Sequence, residues 1–171
     1  MRKHIIYTVI ILSGLPVGYF GMELVVGQTD RPKTALELFD NYCVPLIQGE
    51  LVEAGPELLD LPHLRFETFW VEPRSKVAVI ISTKTCTVSD RLQPMLESER
   101  MALSSAVNAM VTASFPMLRP DLNHGLDSWD EIQLWIQHPI DDERRWGIWL
   151  GRLGQTGEQS STDLMLLLPQ H

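Results

Sequence analysis

Cysteine is scarce in this chain, with Cys43 and Cys86 the only two in 171 residues. A domain of this length can bury a true core without a framework of several disulfides. The pair forms no Cys-x-x-Cys motif, and no Cys or His stands two to four residues from either one. A thioredoxin-type redox motif and a local zinc-ligand spacing are thereby excluded. Basic runs are also missing: Lys and Arg total 14 against 22 Asp and Glu, a net charge of −8. Such a balance repels phosphate backbones, so nucleic acid is not an expected partner. No Gly-x-Ser-x-Gly elbow, phosphate-binding glycine loop or dinucleotide fingerprint occurs, and no internal repeat stands out.

Residues with metal or acid/base chemistry are few and scattered. His63, His124 and His138 lack the i, i+4 spacing that sets two nitrogens on one helix face. Asp121 to Asp127 begins like a calcium loop, with oxygens at its first and third positions. It fails at the fifth and sixth, Gly125 and Leu126, and at the twelfth, Gln133. No metal and no cofactor is therefore expected. Asp127, Asp130 and Glu131 cluster before a strand and would suit acid/base work only beside a placed partner.

What is present points first to export. Met1-Arg2-Lys3-His4 is a basic head, and residues 5 to 22 carry no charge. That is the layout of a secretory leader, and Val25-Val26-Gly27 suggests cleavage before Gln28. The domains are then 1–27, a leader, and 28–171, one folded body. An uncleaved anchor is the rival reading, since 18 uncharged residues approach the length that spans a bilayer. In either case the body lies outside the cytoplasm, in the periplasm or secreted, and the membrane is touched only by the N-terminal segment. Cleavage would leave 12 basic against 21 acidic side chains, a net of −9. In an oxidising compartment an even pair of cysteines forms a bridge, so a Cys43–Cys86 disulfide is expected.

The fold expected is α+β. Thr34-Ala35-Leu36-Glu37 reads as a capping box opening a helix whose stripe, Ala35, Leu38, Phe39, Tyr42, Cys43 and Leu46, carries the cysteine inward. Pro45 and Gly49 end it. A helical turn is expected near Pro56 to Asp60. Arg65–Val71 and Lys76–Ser82 form a hairpin through a type I turn at Glu72-Pro73-Arg74-Ser75. Val77 to Ile81 is apolar on both faces, which suits a central strand. Cys86 then falls at a strand-to-helix junction, with Ser89 or Asp90 capping a long helix and Pro94 in its first turns. A three-stranded meander follows: Glu131–His138, Arg145–Leu153 and Asp163–Leu168. The plan is an antiparallel sheet of about five strands, hairpin plus meander, with two main helices packed on one face.

Alternation within the meander sets Trp135 and Trp149 opposite its apolar positions. If that face is open, the two indoles with Arg145 and Arg152 make a binding patch, since Trp and Arg concentrate at hot spots. The competing reading covers that face with a helix and makes the tryptophans core. The functional expectation is a non-enzymatic domain that binds a protein or another component of the cell envelope. The alternative is a small hydrolase with acid/base groups in the 121–131 loop, His124 and Asp127 foremost. A thiol redox role requires an accessible Cys43–Cys86 bond.

Overall fold

The computed structural model describes residues 29–61, 68–121, 129–138, 142, 144–153 and 160–169. The leader, His63, and the 122–128 loop with His124 and Asp127 lie outside them.

The first helix, α1 (Arg31–Leu38), starts earlier than the Thr34 box implied. Asp30 caps it, its side chain accepting from Lys33 N, and Pro32 occupies the first turn, where a missing amide is harmless. The helix then loosens into a π turn, Phe39–Cys43, and tightens into a 3-10 turn, Val44–Gln48. Pro45 accounts for the change, because its ring cannot pack under an ordinary α-helical carbonyl. Gly49 closes the segment in the left-handed region, φ 74°.

The sheet has eight strands rather than about five: β1 (Leu59–Asp60), β2 (Thr68–Glu72), β3 (Val77–Ile81), β4 (Thr85–Ser89), β5 (Arg119–Pro120), β6 (Trp129–Ile136), β7 (Gly147–Leu153) and β8 (Ser161–Leu167). Their order is β1-β2-β3-β4-β8-β7-β6-β5, and every neighbouring pair is antiparallel. The β2–β3 connection is a four-residue loop in which Glu72 O accepts from Lys76 N. The Glu72 carboxylate also accepts from Arg74 N and Ser75 N.

Cys86 does not sit at a strand-to-helix junction. It lies inside β4, paired with Ile81 on one side and Leu166 on the other. The second long helix, α2 (Glu97–Ser114), begins well beyond Ser89 and Asp90, with Pro94 before it. Its cap is Leu96, whose amide donates to the Glu99 carboxylate at 2.7 Å. Asp90 instead ties two strands to the approach of α2: its carboxylate accepts from Met95 N and Thr162 N, each at 2.6 Å.

Both helices pack on one face of the sheet. The main core joins Ala35, Leu38, Phe39, Tyr42 and Cys43 to Leu103, Val107 and Val111, over Val77, Val79, Cys86, Val88, Ile148, Leu164 and Leu166. Phe69, Val71, Ala78 and Ile80, on the alternate positions of β2 and β3, form a smaller cluster on the other face. Cys43 and Cys86 are joined by a disulfide with 5.4 Å between Cα atoms, which bolts the π turn to a central strand.

Arg31 is a second bolt. Its guanidinium donates to the carbonyls of Ser75 (2.9 Å), Pro94 (3.3 Å) and Gln93, and pairs with Glu99 at 3.5 Å. One buried side chain thus holds the β2–β3 loop and the approach to α2 together.

Candidate functional site

Helix α2 carries two stripes. Leu103, Val107 and Val111 are buried in the core. Arg100, Ser104 and Asn108 repeat at the same four-residue spacing, one residue out of step and so about 100° around the helix. That second stripe borders a cleft between α2 and the β6–β7 side of the sheet.

The cleft has two adjoining chambers that share Ser104, Ile132 and Gln133. The inner one, about 180 Å³, is also lined by Arg100, Leu150, Gly151, Arg152 and Thr162. The outer one, about 380 Å³, extends along Ser105 and Asn108 to Pro120, Asp121, Leu134 and Trp135. Beside it β6 shifts register between Asp130 and Gln133. Bulges of this kind re-aim a side chain, and Gln133 Nε2 donates to Ser104 Oγ at 2.8 Å across the opening.

The inner chamber is cationic. Arg100 Nη1 donates to Met95 O at 3.0 Å, and Nη2 pairs with Glu97. Arg152 Nη2 donates to Ser160 Oγ at 3.1 Å. Each guanidinium is pinned by its Nη atoms, while both Nε atoms are buried without a hydrogen-bond partner among the described residues. At the outer end Asp121 pairs with Arg145 at 3.3 Å, both side chains mostly buried. The long axis thus runs from two arginines to a neutralised acid.

The residues expected at a binding patch are divided by this geometry. Arg152 lines the inner chamber and Trp135 the outer one, and Arg145 reaches the outer end through Asp121. Trp149 is on the other face of the sheet, because Trp135 pairs with Ile148 while Trp149 pairs with Leu134. Both indoles are buried, at 7% and 8% exposure, so they form no shared open surface. The expected alternation within each strand holds, but the register between strands sets the two rings apart. Gly147 serves that register: a Cβ there would strike the backbone of Trp135 and Ile136.

Arg100, Ser104, Gln133 and Thr162 were not singled out by the sequence. Arg100 lies in the charged gap "ESER", and Thr162 precedes the expected start of the last strand. The signal that could have found the helical part is the polar 100/104/108 stripe beside the apolar one.

The disulfide is not a site. Both cysteines are fully buried, and the accessible bond that a redox role requires is not present. Among the described residues no three His, Cys, Asp or Glu side chains gather in an arrangement that could hold a metal ion. No described helix is long and apolar enough to cross a membrane. No protein-family model, curated protein or solved structure matches this chain.

Proposed function

We propose that the protein is a non-enzymatic binding domain working outside the cytoplasm, and that the cleft beside α2 receives a component of the cell envelope. The observation that carries this reading is an open cleft of mixed polar and apolar lining, flanked by two pinned arginines. Cavities with a few fixed polar groups and some apolar wall are what ligand sites are made of, and Ile132, Leu150 and Trp135 supply the apolar part. The uncharged N-terminal segment supports that location, and the buried disulfide is compatible with an oxidising compartment.

Ser104 stands where the two chambers meet, so Ser104→Trp fills the passage. A thermal-shift screen of envelope metabolites against wild type and Ser104→Trp tests the assignment. Ligands that raise the melting temperature of wild type but not of the folded variant support it. Equal shifts in both proteins, or turnover of any screened compound, would overturn it.

A further inference from the structure

We propose that the inner chamber of the cleft is a carboxylate-binding site, in which the guanidinium groups of Arg100 and Arg152 receive an organic carboxylate. This inference rests on the reading of the cleft as the recognition site.

A buried, charged donor left without an acceptor is expensive, and each of the two arginines that line the chamber carries one, its Nε–H. Their remaining contacts fix the two groups in place rather than satisfy them. Arg100 is held from one side by Met95 O and Glu97, and Arg152 by Ser160. Thr162, opposite Arg152 on β8, lines the same chamber. An acceptor with two oxygens fits this pair of guanidinium groups.

Charge selects among the anions. Glu97 offsets Arg100, whereas Arg152 donates to a neutral hydroxyl, that of Ser160. The chamber therefore calls for about one negative charge. The chain as a whole carries −8, which opposes multiply charged ligands at longer range. A monocarboxylate meets both conditions better than a phosphate does. Leu150 and Ile132 supply an apolar wall for the carbon atoms next to the carboxylate. The rest of the ligand would run toward Ser105, Asn108 and Trp135 in the outer chamber.

The test is an amide NMR titration of the whole folded protein with butyrate, using butanol and inorganic phosphate as comparators. Saturable shifts for butyrate are expected at Arg100, Ser104, Gln133, Gly151, Arg152 and Thr162. Arg152→Gln and Arg100→Gln should each weaken butyrate by about ten-fold or more, the loss expected when a hydrogen bond to a charged group is removed. Arg144→Gln, on an exposed arginine paired with Asp142 outside the cleft, should change nothing. Three outcomes would overturn the proposal: no saturable shift at these residues, butyrate affinity unchanged in both arginine variants, or tighter binding of phosphate at the same residues. Should one of these occur while Ser104→Trp still abolishes the response to screened ligands, the cleft stands as a recognition site and the carboxylate assignment alone falls.

Discussion

Residues 31–89 and 97–167 each run through a helix, a two-residue edge strand and three longer strands, and the two sets meet where β4 pairs antiparallel with β8. The same plan is finished differently on the two sides. In the first half Arg31, Pro32, Ala35, Leu38, Phe39, Tyr42 and Cys43 are all buried, and the helix is bolted to the sheet by a disulfide. In the second half α2 is longer, 18 residues, yet Leu103, Val107 and Val111 are its only buried positions. The helix with fewer anchors is the one with a cleft at its side. In one half of the domain the helical segment is bolted to the sheet by a disulfide; in the other the helix is held by fewer buried side chains and borders the cleft along β6 and β7.

Breaking the bolt should have the largest effect. Cys43 and Cys86 are 43 residues apart, and a crosslink over that span restricts the unfolded chain by about 4 kcal/mol in the chain-entropy account. Cys43→Ala with Cys86→Ala should lower the unfolding free energy by about that amount, measured by urea unfolding against the oxidised parent. A loss below about 1 kcal/mol would mean that the Arg31 clamp and the apolar stripe hold α1 unaided, and the contrast between the halves would then rest on packing alone.

The seam between the halves gives a second test, read as a slope with pH. Asp90 and Asp163 lie at the adjoining ends of β4 and β8, and both are almost fully buried. Loss of solvation raises the pKa of Asp163 above the ordinary carboxylate value, against the lowering effects of the Ser89 and Ser161 hydroxyls and of Arg91, with Asp90 adding to the rise. Asp90 is raised by burial too, although the Met95 and Thr162 amides and Arg31 pull it down. An acid held protonated more firmly in the folded state contributes its stability at low pH. That contribution is lost as the pH climbs from the unfolded value through the raised folded one. Asp163→Asn removes one such group. Its stability relative to wild type should therefore rise as the pH climbs above the ordinary carboxylate value of about 4, in paired urea titrations. Glu57, Glu72 and Asp142 shift downward and act in the opposite sense, but they are common to both proteins and cancel in the difference. A difference that does not change with pH would show that Arg91 and the serine hydroxyls fully compensate the buried charge.

How far this contrast was legible in the sequence depends on the range of the signal. The inward face of α1, the disulfide, the interior position of Val77–Ile81 and the three later strands are written in local periodicity and in the parity of two cysteines. Strand β4 was hidden because "TCTVS" is short and polar, and its burial comes from lying between β3 and β8. Strands β1 and β5, two residues each, are too short to show any pattern. The cleft was half visible: Arg152 and Trp135 could be named, but their separation from Trp149 depends on pairing between strands. No single strand's alternation records that pairing. Thr162 enters the site through the register of β8 against β7, which sets it opposite Arg152.

The smallest expected effect is the sharpest probe of the open half. Ser104 is half-buried, bonded to Gln133 at the mouth of the cleft, and one residue removed from Leu103, which is 1% exposed. If the 100/104/108 stripe faces a cleft kept for a ligand, Ser104→Ala should change stability by less than about 0.5 kcal/mol, since Gln133 can turn to water once its partner is gone. Leu103→Ala, on the adjoining stripe, should lose about 2–5 kcal/mol because it leaves a void in the core. Chemical unfolding of the two variants compares neighbouring side chains separated by a single turn of about 100°. A loss above about 1.5 kcal/mol at Ser104 would mean that its bond to Gln133 joins α2 to β6 as a structural link. The second half would then be tied together by polar contacts as the first is by its disulfide, and the contrast between the two halves would not survive.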